Sequence, residues 1–484
     1  MNRARLVALA VLTGPWGCAS GRSPLPPFPP RERVEVPGPA VLSRPGGEAA
    51  FGTRRYAVRQ LSGGLWVLRI PADTRLAGAC LIAPQAARGD VRLMHAQTVA
   101  LGLLDAEPSL DAEFAGSNRA PWVSLNVVAT PSALDEGLET LTRTLRSTEV
   151  ASGTYRQIHL RVLKNLASGS RSAHERMTVA LRRSRYGEDH PWARDAWGTL
   201  EALTDIDPEG FLVQLRRLFP DRRSVLVVVG PEADLPSFER LEHLFAGVGG
   251  ERPVPPTLPP MPPRSTGGTE VHAFWYRRGQ TLLRALHVGP GPQSPRRHAA
   301  FLALAEMMES RHSPMNAIYR ERHGATYGTG SRVVQRANVT ELFFEASITH
   351  RKTARLIDDY RAWLKSLGRG DVDRAELQRA KAQLMGAWSW VPLSARALAV
   401  TVAYHAAEVR VGCAGRDRCP ASVQVGPPPA LDGVTAADVA QVVRDYIDVD
   451  RLDLAVTGPR TYFRSLVRRG RVFTYDVTET ETDL

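Results

Sequence analysis

Only four cysteines occur in 484 residues, Cys18, Cys80, Cys413 and Cys419. They include no pair of pairs that could supply the four ligands of a zinc ribbon. Lysine is as scarce, with only Lys164, Lys352, Lys365 and Lys381. The formal net charge of +12 is therefore carried by arginines that are spread rather than blocked. No aromatic-interleaved basic stretch and no nucleic-acid motif accompany them, so nucleic acid is not an expected partner. What remains is a weak attraction to anionic surfaces. No apolar run reaches the ~18 residues of a transmembrane helix.

What is present begins with a processing segment. Arg3 and Arg5 precede a short apolar run, Leu6–Leu12, and then Gly17-Cys18 followed by Ala19 and Ser20. This is the pattern of a secretory signal, residues 1–18. It resembles a bacterial lipoprotein signal, in which the Cys after a small residue is lipidated. Cys18 is then a lipid attachment point and the chain a lipoprotein of the cell envelope. Ala19 in place of Asp resembles outer-membrane sorting, facing the periplasm. Pro15-Trp16 departs from the usual lipobox, and a plain signal peptide is the alternative. Residues 19–50 are rich in Pro, Gly and Arg, with too little apolar periodicity to fold, and read as a tether.

Near the middle lies Pro253–Arg264, PVPPTLPPMPPR, with seven prolines in eleven residues. Each ring fixes φ and removes an N–H, so the stretch is extended and stiff. The two sides end alike. The first closes on Val225–Gly230 (VLVVVG) and Pro231, the second on Leu452–Gly458 (LDLAVTG) and Pro459, each after a Thr-led amphipathic helix. That repetition predicts a duplicated domain, residues 51–248 and 269–460, with a linker at 249–268 and a tail at 461–484.

Within the first domain the pattern predicts a hairpin around Ser62-Gly63-Gly64, a strand at Ala77–Ala83, helices at Val91–Leu104 and Leu134–Leu145, a strand at Val123–Val128, and helices at Thr154–Ala167 and Ala173–Tyr186. In the second, Thr269–Trp275 and Leu282–Val288 read as paired strands. A helix follows at His298–Arg311 and another stretch of helix at Asn316–Arg322, ending at Gly324. Strands at Tyr327–Val334 and Thr340–Ile348 and helices at Ala354–Leu367 and Asp373–Trp388 complete it. The fold class is α+β. Cys80, in the apolar run AGACLIAP, reads as a buried small hydrophobe. Cys413 and Cys419 flank the polar loop CAGRDRC, and in an exported protein that spacing favours a local disulfide.

The segment Arg185–Gly230 carries Tyr186-Gly187, His190-Pro191, Gly198-Thr199, Leu203-Thr204, Phe211 and Val228–Gly230. In this order they resemble the insulinase/pitrilysin/mitochondrial-processing-peptidase family. The resemblance runs over roughly 54–458 and implies two homologous α+β domains, antiparallel-rich sheets packed with helices, joined by the Pro-rich linker in a clamp-like arrangement. The family's chemistry requires H-x-x-E-H on a helix of the first domain: two His one turn apart hold Zn²⁺ and the Glu acts as general base. No such motif occurs in this chain. On Arg92–Asp105, His95 falls on the first His, but Thr98 stands at the Glu position and Val99 at the second His. Thr98 is no base near neutral pH and Val99 has no ligand atom. Tyr155–Gly169 holds no acid for the distant ligand, and Glu175 is the nearest substitute. His159 and His174 read as unpaired. No metal ligand and no catalytic residue is expected here.

In the second half, YRERHGATYGTGSRV resembles the family's motif of an Arg-Glu, a Gly and a Tyr. Arg320, Glu321, Gly324 and Tyr327 fall on it with matching spacing, with Ala325 in place of the usual Leu. The resemblance implies that Arg320 and Tyr327 face substrate, as a planar donor fork and a hydroxyl suited to a peptide carbonyl or oxyanion. A solvated Arg at a helix end and a packed strand Tyr is the plainer alternative. Together the missing zinc half and the retained Arg/Tyr half imply a non-catalytic pseudo-peptidase subunit. It would form a heterodimer with a zinc-bearing peptidase of the same family and help it hold unfolded peptide. Zinc is then expected only in the partner, and the membrane is reached through the lipid anchor. The alternative is a stand-alone peptide-binding or scaffold lipoprotein derived from the peptidase fold.

Overall fold

The computed structural model describes residues 53–84, 91–106, 111–119, 122–188, 190–193, 203–220, 223–249, 268–275, 279–336, 339–412 and 419–476. The signal with Cys18, the Pro-rich tether, the Pro253–Arg264 linker and Cys413 lie outside the described residues. Cys419 is half-buried, makes no disulfide among the described residues, and has Arg410 Nη1 3.7 Å from its Sγ.

Two six-stranded sheets share one plan. The strands of the first are β2 (Arg59–Gln60), β3 (Trp66–Pro71), β4 (Ala77–Pro84), β5 (Ala112–Arg119), β6 (Trp122–Ala129) and β7 (Val225–Gly230). They lie in the order β2-β3-β7-β4-β6-β5. The second sheet uses β8 (Glu270–Trp275), β9 (Thr281–Pro290), β10 (Thr326–Gln335), β11 (Val339–Ile348), β13 (Asp453–Gly458) and β14 (Arg471–Asp476). Its order is β10-β11-β9-β13-β8-β14. In both sheets the late strand enters the middle, parallel to the first main strand and antiparallel to the second. Five strands superpose in order and sense, which is the duplication expected from the sequence. The sixth differs: β2 runs antiparallel to β3, whereas β14 runs parallel to β8.

Two expectations are corrected here. Thr269–Trp275 and Leu282–Val288 are not paired with each other, because β13 lies between β8 and β9. A central apolar strand buried on both faces outcompetes the local hairpin. Residues 471–476, assigned to the tail, instead form a strand on the edge of the second sheet, with alternation in RVFTYD that suits pairing to β8.

The helices follow the same repeat. In the first half they are α1 (Val91–Leu104), α2 (Leu134–Leu145), α3 (Ser152–Arg171), α4 (Ala173–Tyr186), α5 (Pro208–Arg216) and α6 (Phe238–Phe245). In the second they are α7 (Pro295–Glu309), α8 (His350–Arg369), α9 (Arg374–Trp390), α10 (Ala395–Gly412) and α11 (Ala436–Tyr446). Their starts are chemically marked. Asp207 accepts from Gly210 N–H at 2.7 Å ahead of α5, Asp373 accepts from the N–H groups of Ala375 and Glu376 ahead of α9, and Thr435 with Asp438 forms a reciprocal capping box for α11.

Each sheet is covered on one face by its own helices and on the other by a helix from the opposite half. Val67, Leu81, Leu125 and Leu226 pack under α1, α2 and α5, while Leu68, Ile82, Val225 and Val227 on the other face pack against Ala399, Val402, Ala403 and Ala406 of α10. Reciprocally, Met177 and Leu181 of α4 pack on Phe274, Leu286, Phe343 and Ala455 of the second sheet. A two-stranded ribbon, β1 (Arg54–Ala57) with β12 (Ser422–Val425), ties the halves a second time. Cys80 is fully buried among these residues, as its sequence setting indicated.

Candidate functional site

Arg320 lies on a π-helical turn, Ala317–Arg322. The wider turn is closed by His323 N–H to the Ile318 carbonyl at 3.1 Å and Ala325 N–H to the Tyr319 carbonyl at 2.7 Å. Gly324 ends it at φ +54°, a left-handed conformation that a side chain would strain. Tyr319 is fully buried and its hydroxyl donates to Asp359, which pins the turn to α8. Arg320 itself is exposed, and among the described residues its side chain makes no hydrogen bond or ion pair.

Tyr327 is placed by a different device. β10 pairs with β11 at Thr326 opposite Ile348 and resumes at Thr329 opposite Ala346, so the ladder shifts between them. Such a bulge re-aims side chains. The Thr326 hydroxyl donates to the Ser347 carbonyl at 2.5 Å and accepts from Gly328 N–H at 3.1 Å, and Asn316 Oδ1 takes Thr329 N–H at 2.7 Å. These bonds hold the bulge and leave Tyr327 83 % exposed. A buried strand tyrosine would have fitted the plainer alternative; this one is presented to solvent. Arg320 Nη1 lies 4.0 Å from where a Cβ on Gly328 would stand, so the two residues share one surface.

The first half is different. His95 is 2 % exposed on α1, and its Nε2 lies 2.7 Å from Nδ1 of His159 on α3. One ring donates and the other accepts. His159 was expected to be unpaired, and this contact corrects that. The signal was available as Tyr155 and His159 one turn apart, whose rings stack at 5.3 Å. Burial, then the neighbouring His159, pushes the His95 pKa down to about 4, and burial lowers His159 as well. Both rings are therefore neutral at pH 7. Val99 is fully buried in the core. Two imidazoles hydrogen-bonded to each other, beside Thr98 and Val99, do not fit a zinc ion. Such sites need three protein ligands with a free position, or four. Among the described residues no group of three His, Cys, Asp or Glu is placed to hold a metal.

Glu175 and His174 sit at the start of α4, which faces the second sheet. The His174 carbonyl and ring, with the Thr178 hydroxyl, take donors from the fully buried Arg284, whose Nη2 also pairs with Glu345 at 2.6 Å. The expectation of an unpaired His174 is therefore corrected too. Two further contacts are made by α10, one to the first half and one within the second. The Tyr404 hydroxyl donates to Ser117 Oγ at 3.3 Å, and Gln335 Nε2 donates to Glu408 Oε1 at 2.6 Å. Burial raises the Glu408 pKa to about 7 against the opposing effect of Gln335. The sequence offered no motif for this pair.

Residues 216–384 match the family described as the peptidase M16 inactive domain. The solved structures most like this one include a protease from Helicobacter pylori, at 13% identity, TM-score 0.68, covering 84% of this chain and 100% of its own. A peptidase M16 inactive domain from Pseudomonas fluorescens matches at 14% identity and TM-score 0.64, over 84% of this chain and 98% of its own. The fold is that of the M16-type peptidases. A chain of complex III2 from Candida albicans has a similar fold, at 14% identity and TM-score 0.61, over 86% of this chain and 99% of its own. At these identities the likeness is one of fold. No curated protein matches the sequence. The resemblance to the insulinase-like family without its zinc motif, drawn from the segment Arg185–Gly230 and the Arg320/Tyr327 motif, agrees with this M16-type architecture.

Proposed function

We propose that this chain is a non-catalytic M16-type subunit that holds peptide for a zinc-bearing partner of the same fold. The observation that carries this reading is the pairing of an unpartnered Arg320 with the outward Tyr327 on a braced bulge, in a chain whose α1 carries Thr98 and Val99 where the zinc motif would fall. An exposed arginine without a carboxylate keeps all five donors available for a carbonyl or carboxylate, and an exposed phenol adds another. Neither side chain supports its own core. The match of residues 216–384 to an inactive domain supports the same reading.

The setting is part of the proposal. Cys18 carries lipid and anchors the chain in the envelope, with residues 19–50 as tether. A clickable fatty acid should label the wild type and not Cys18→Ala; an unlabelled mature wild type overturns the anchor.

The decisive experiment is co-purification with a zinc-bearing M16 chain from the same cell, followed by peptidase assay of the pair. Arg320→Ala and Tyr327→Phe should leave the melting temperature unchanged. Each should cut kcat/KM of the pair, by about 10²–10³-fold if the donor acts in the transition state. Full activity in the double variant removes the role of these residues. Failure of any zinc chain to co-purify favours the stand-alone peptide-binding lipoprotein.

A further inference from the structure

The crossover from β13 to β14, residues 459–470, carries Arg460, Arg464, Arg468 and Arg469. It runs beside α8. The Tyr462 ring stacks on His350 at 5.0 Å, and Arg469 Nε donates to the Ala354 carbonyl at 2.9 Å and to Asp358 at 3.0 Å. On the other flank of α8, Arg355 meets Asp359 at 3.7 Å, and Asp359 also accepts from Tyr319 on the π-helical turn. Desolvation, then Lys352, Arg355 and Arg322, lowers the His323 pKa, so these cations share one neighbourhood. Asp358 and Asp359 are thus taken by Arg469 and Arg355, and Glu321 is an exposed acid on the turn. Arg322, Arg351, Arg464 and Arg468 are exposed and Lys352 is half-buried. Among the described residues the side chains of these five make no ion pair or hydrogen bond. Like charges gathered on one surface repel each other and favour an acidic occupant.

The chain carries such an occupant close by. β13 and β14 both run parallel to β8, and Gly458 and Asp476 both lie opposite Trp275. The crossover therefore leaves the sheet at the same end at which residues 477–484 begin, and Arg460 stands over the Trp275 ring there at 5.1 Å. Those residues lie outside the described ones. They read VTETETDL, with Glu479, Glu481 and Asp483 and neither lysine nor arginine. Eight residues reach up to about 26 Å when extended. Alternate residues of an extended chain face the same side about 6.6 Å apart, so the three carboxylates fall on one side. Residues four apart on a helix, as Arg351 and Arg355 are on α8, stand about 5–6 Å apart. Charge and spacing both match.

We propose that the arginine-rich surface formed by α8 and the β13–β14 crossover is a docking surface for acidic segments, occupied in this chain by its own residues 477–484. Glu479, Glu481 and Asp483 are set against Arg351, Lys352, Arg464 and Arg468, with Arg322 at the rim. Because the segment starts beside the surface, its effective concentration there is on the order of millimolar. A free acidic segment has to displace it, so the surface is open only to a tighter acidic partner or when salt screens the pairing. This holds whatever Arg320 and Tyr327 bind.

The test compares the full chain with the variant Glu479→Gln/Glu481→Gln/Asp483→Asn, which keeps the length and removes the charge. The probe is a labelled, acetylated peptide of the sequence VTETETDL. At low salt, fluorescence anisotropy should show it binding the neutralised variant about tenfold or more tighter than wild type, because the native segment competes in cis. Adding Arg351→Ala and Arg464→Ala to the neutralised variant should abolish binding, as should about 0.5 M salt. Arg216→Ala/Arg217→Ala, an exposed pair of the first half, should leave it unchanged. Equal weakening by that pair would show attraction to diffuse net charge and overturn the docking surface. Equal affinity for wild type and the neutralised variant overturns residues 477–484 as the occupant. A wild-type dimer at low salt that the neutralised variant does not form puts the segment on a second copy and overturns docking within one chain. Phosphatidylglycerol vesicles that bind wild type as tightly as the neutralised variant, and lose both with Arg351→Ala/Arg464→Ala, assign the surface to lipid instead. Absence of peptide binding by every variant overturns the proposal outright.

Discussion

Helix α4 crosses from the first half to cover the second sheet, and α10 crosses back to cover the first, yet the two seams are built from different chemistry. Beneath α4 the apolar contact of Met177 and Leu181 is joined by a buried ion network. Arg182 meets Glu341 Oε2 at 2.9 Å, Arg336 meets the same oxygen at 3.0 Å, and Arg284 joins His174, Thr178 and Glu345. Burial alone would raise the Glu341 carboxyl, but Arg336 and Arg182 outweigh it and hold its pKa down at about 2. Beneath α10 the seam is a stripe of Ala and Val, Ala399, Val402, Ala403 and Ala406, pressed on branched strand residues. A buried ion network tolerates one register only, because a slip strands a charge in low dielectric. Small apolar residues allow close approach but specify position less sharply. The same architecture thus has one seam that fixes alignment and one that contributes mainly area.

The sharpest way to break this contrast is Glu341→Ala, which leaves Arg182 and Arg336 buried without their carboxylate. It should cost about 3–5 kcal/mol in denaturant unfolding, whereas Glu341→Gln retains the shape and some hydrogen bonds and should cost less. A loss below about 1 kcal/mol for the alanine variant would mean that the ionic seam does not set α4.

Acid tests both halves at once. His95 on α1 and His298 on α7 occupy matching helices, and burial holds each pKa near 4, with His159 adding to the effect at His95. The unfolded imidazoles titrate near 6.5, so as pH falls from about 6.5 to 4 the unfolded chain takes up protons that the folded chain refuses. Stability should therefore be full above about pH 6.5 and decline towards pH 4, on the order of 2–3 kcal/mol per histidine. His298→Leu should flatten the fall of melting temperature across that window. A slope identical to wild type would show that His298 is not held neutral.

On the apolar seam, Ala403→Leu adds three carbons where Ala403 is fully buried against the first sheet. Overpacking should cost about 1–3 kcal/mol. A cost matching that of Glu341→Ala would erase the distinction between the seams. The smallest effect expected lies just past α10, where oxidation of Cys413 with Cys419 closes a short loop. It should add less than the ~3 kcal/mol of a 15-residue loop, measured as the melting difference between oxidised and reduced protein. Two free thiols after alkylation of that protein would contradict the pairing.

Much of this plan was legible in the residues. The 3.6-residue spacing of Leu134, Leu138, Leu141 and Leu145 places α2 at its observed ends, and Val225–Gly230 reads as the doubly buried strand it is. β5 escaped because Ala112–Arg119 is polar and glycine-bearing, with no alternation to mark it. α10 escaped for another reason: its buried stripe, Ala399, Val402, Ala403 and Ala406, is built of small residues that stand out little from their neighbours. At the candidate site, the spacing of Arg320, Gly324 and Tyr327 was visible, but the bulge that turns Tyr327 outward depends on Thr326, Asn316 and Ser347, which meet only in space. The His95–His159 contact likewise joins residues 64 apart.

The crossed helices have a consequence for how the chain is made. While residues up to about 250 leave the ribosome, the face of the first sheet bearing Trp66, Leu68, Ile70, Val225 and Val227 has no cover, because that cover is residues 395–407. The first half must wait, with greasy strands open to water, until nearly the whole polypeptide has been delivered. A fragment ending near residue 250 should therefore clump or be captured by holding chaperones.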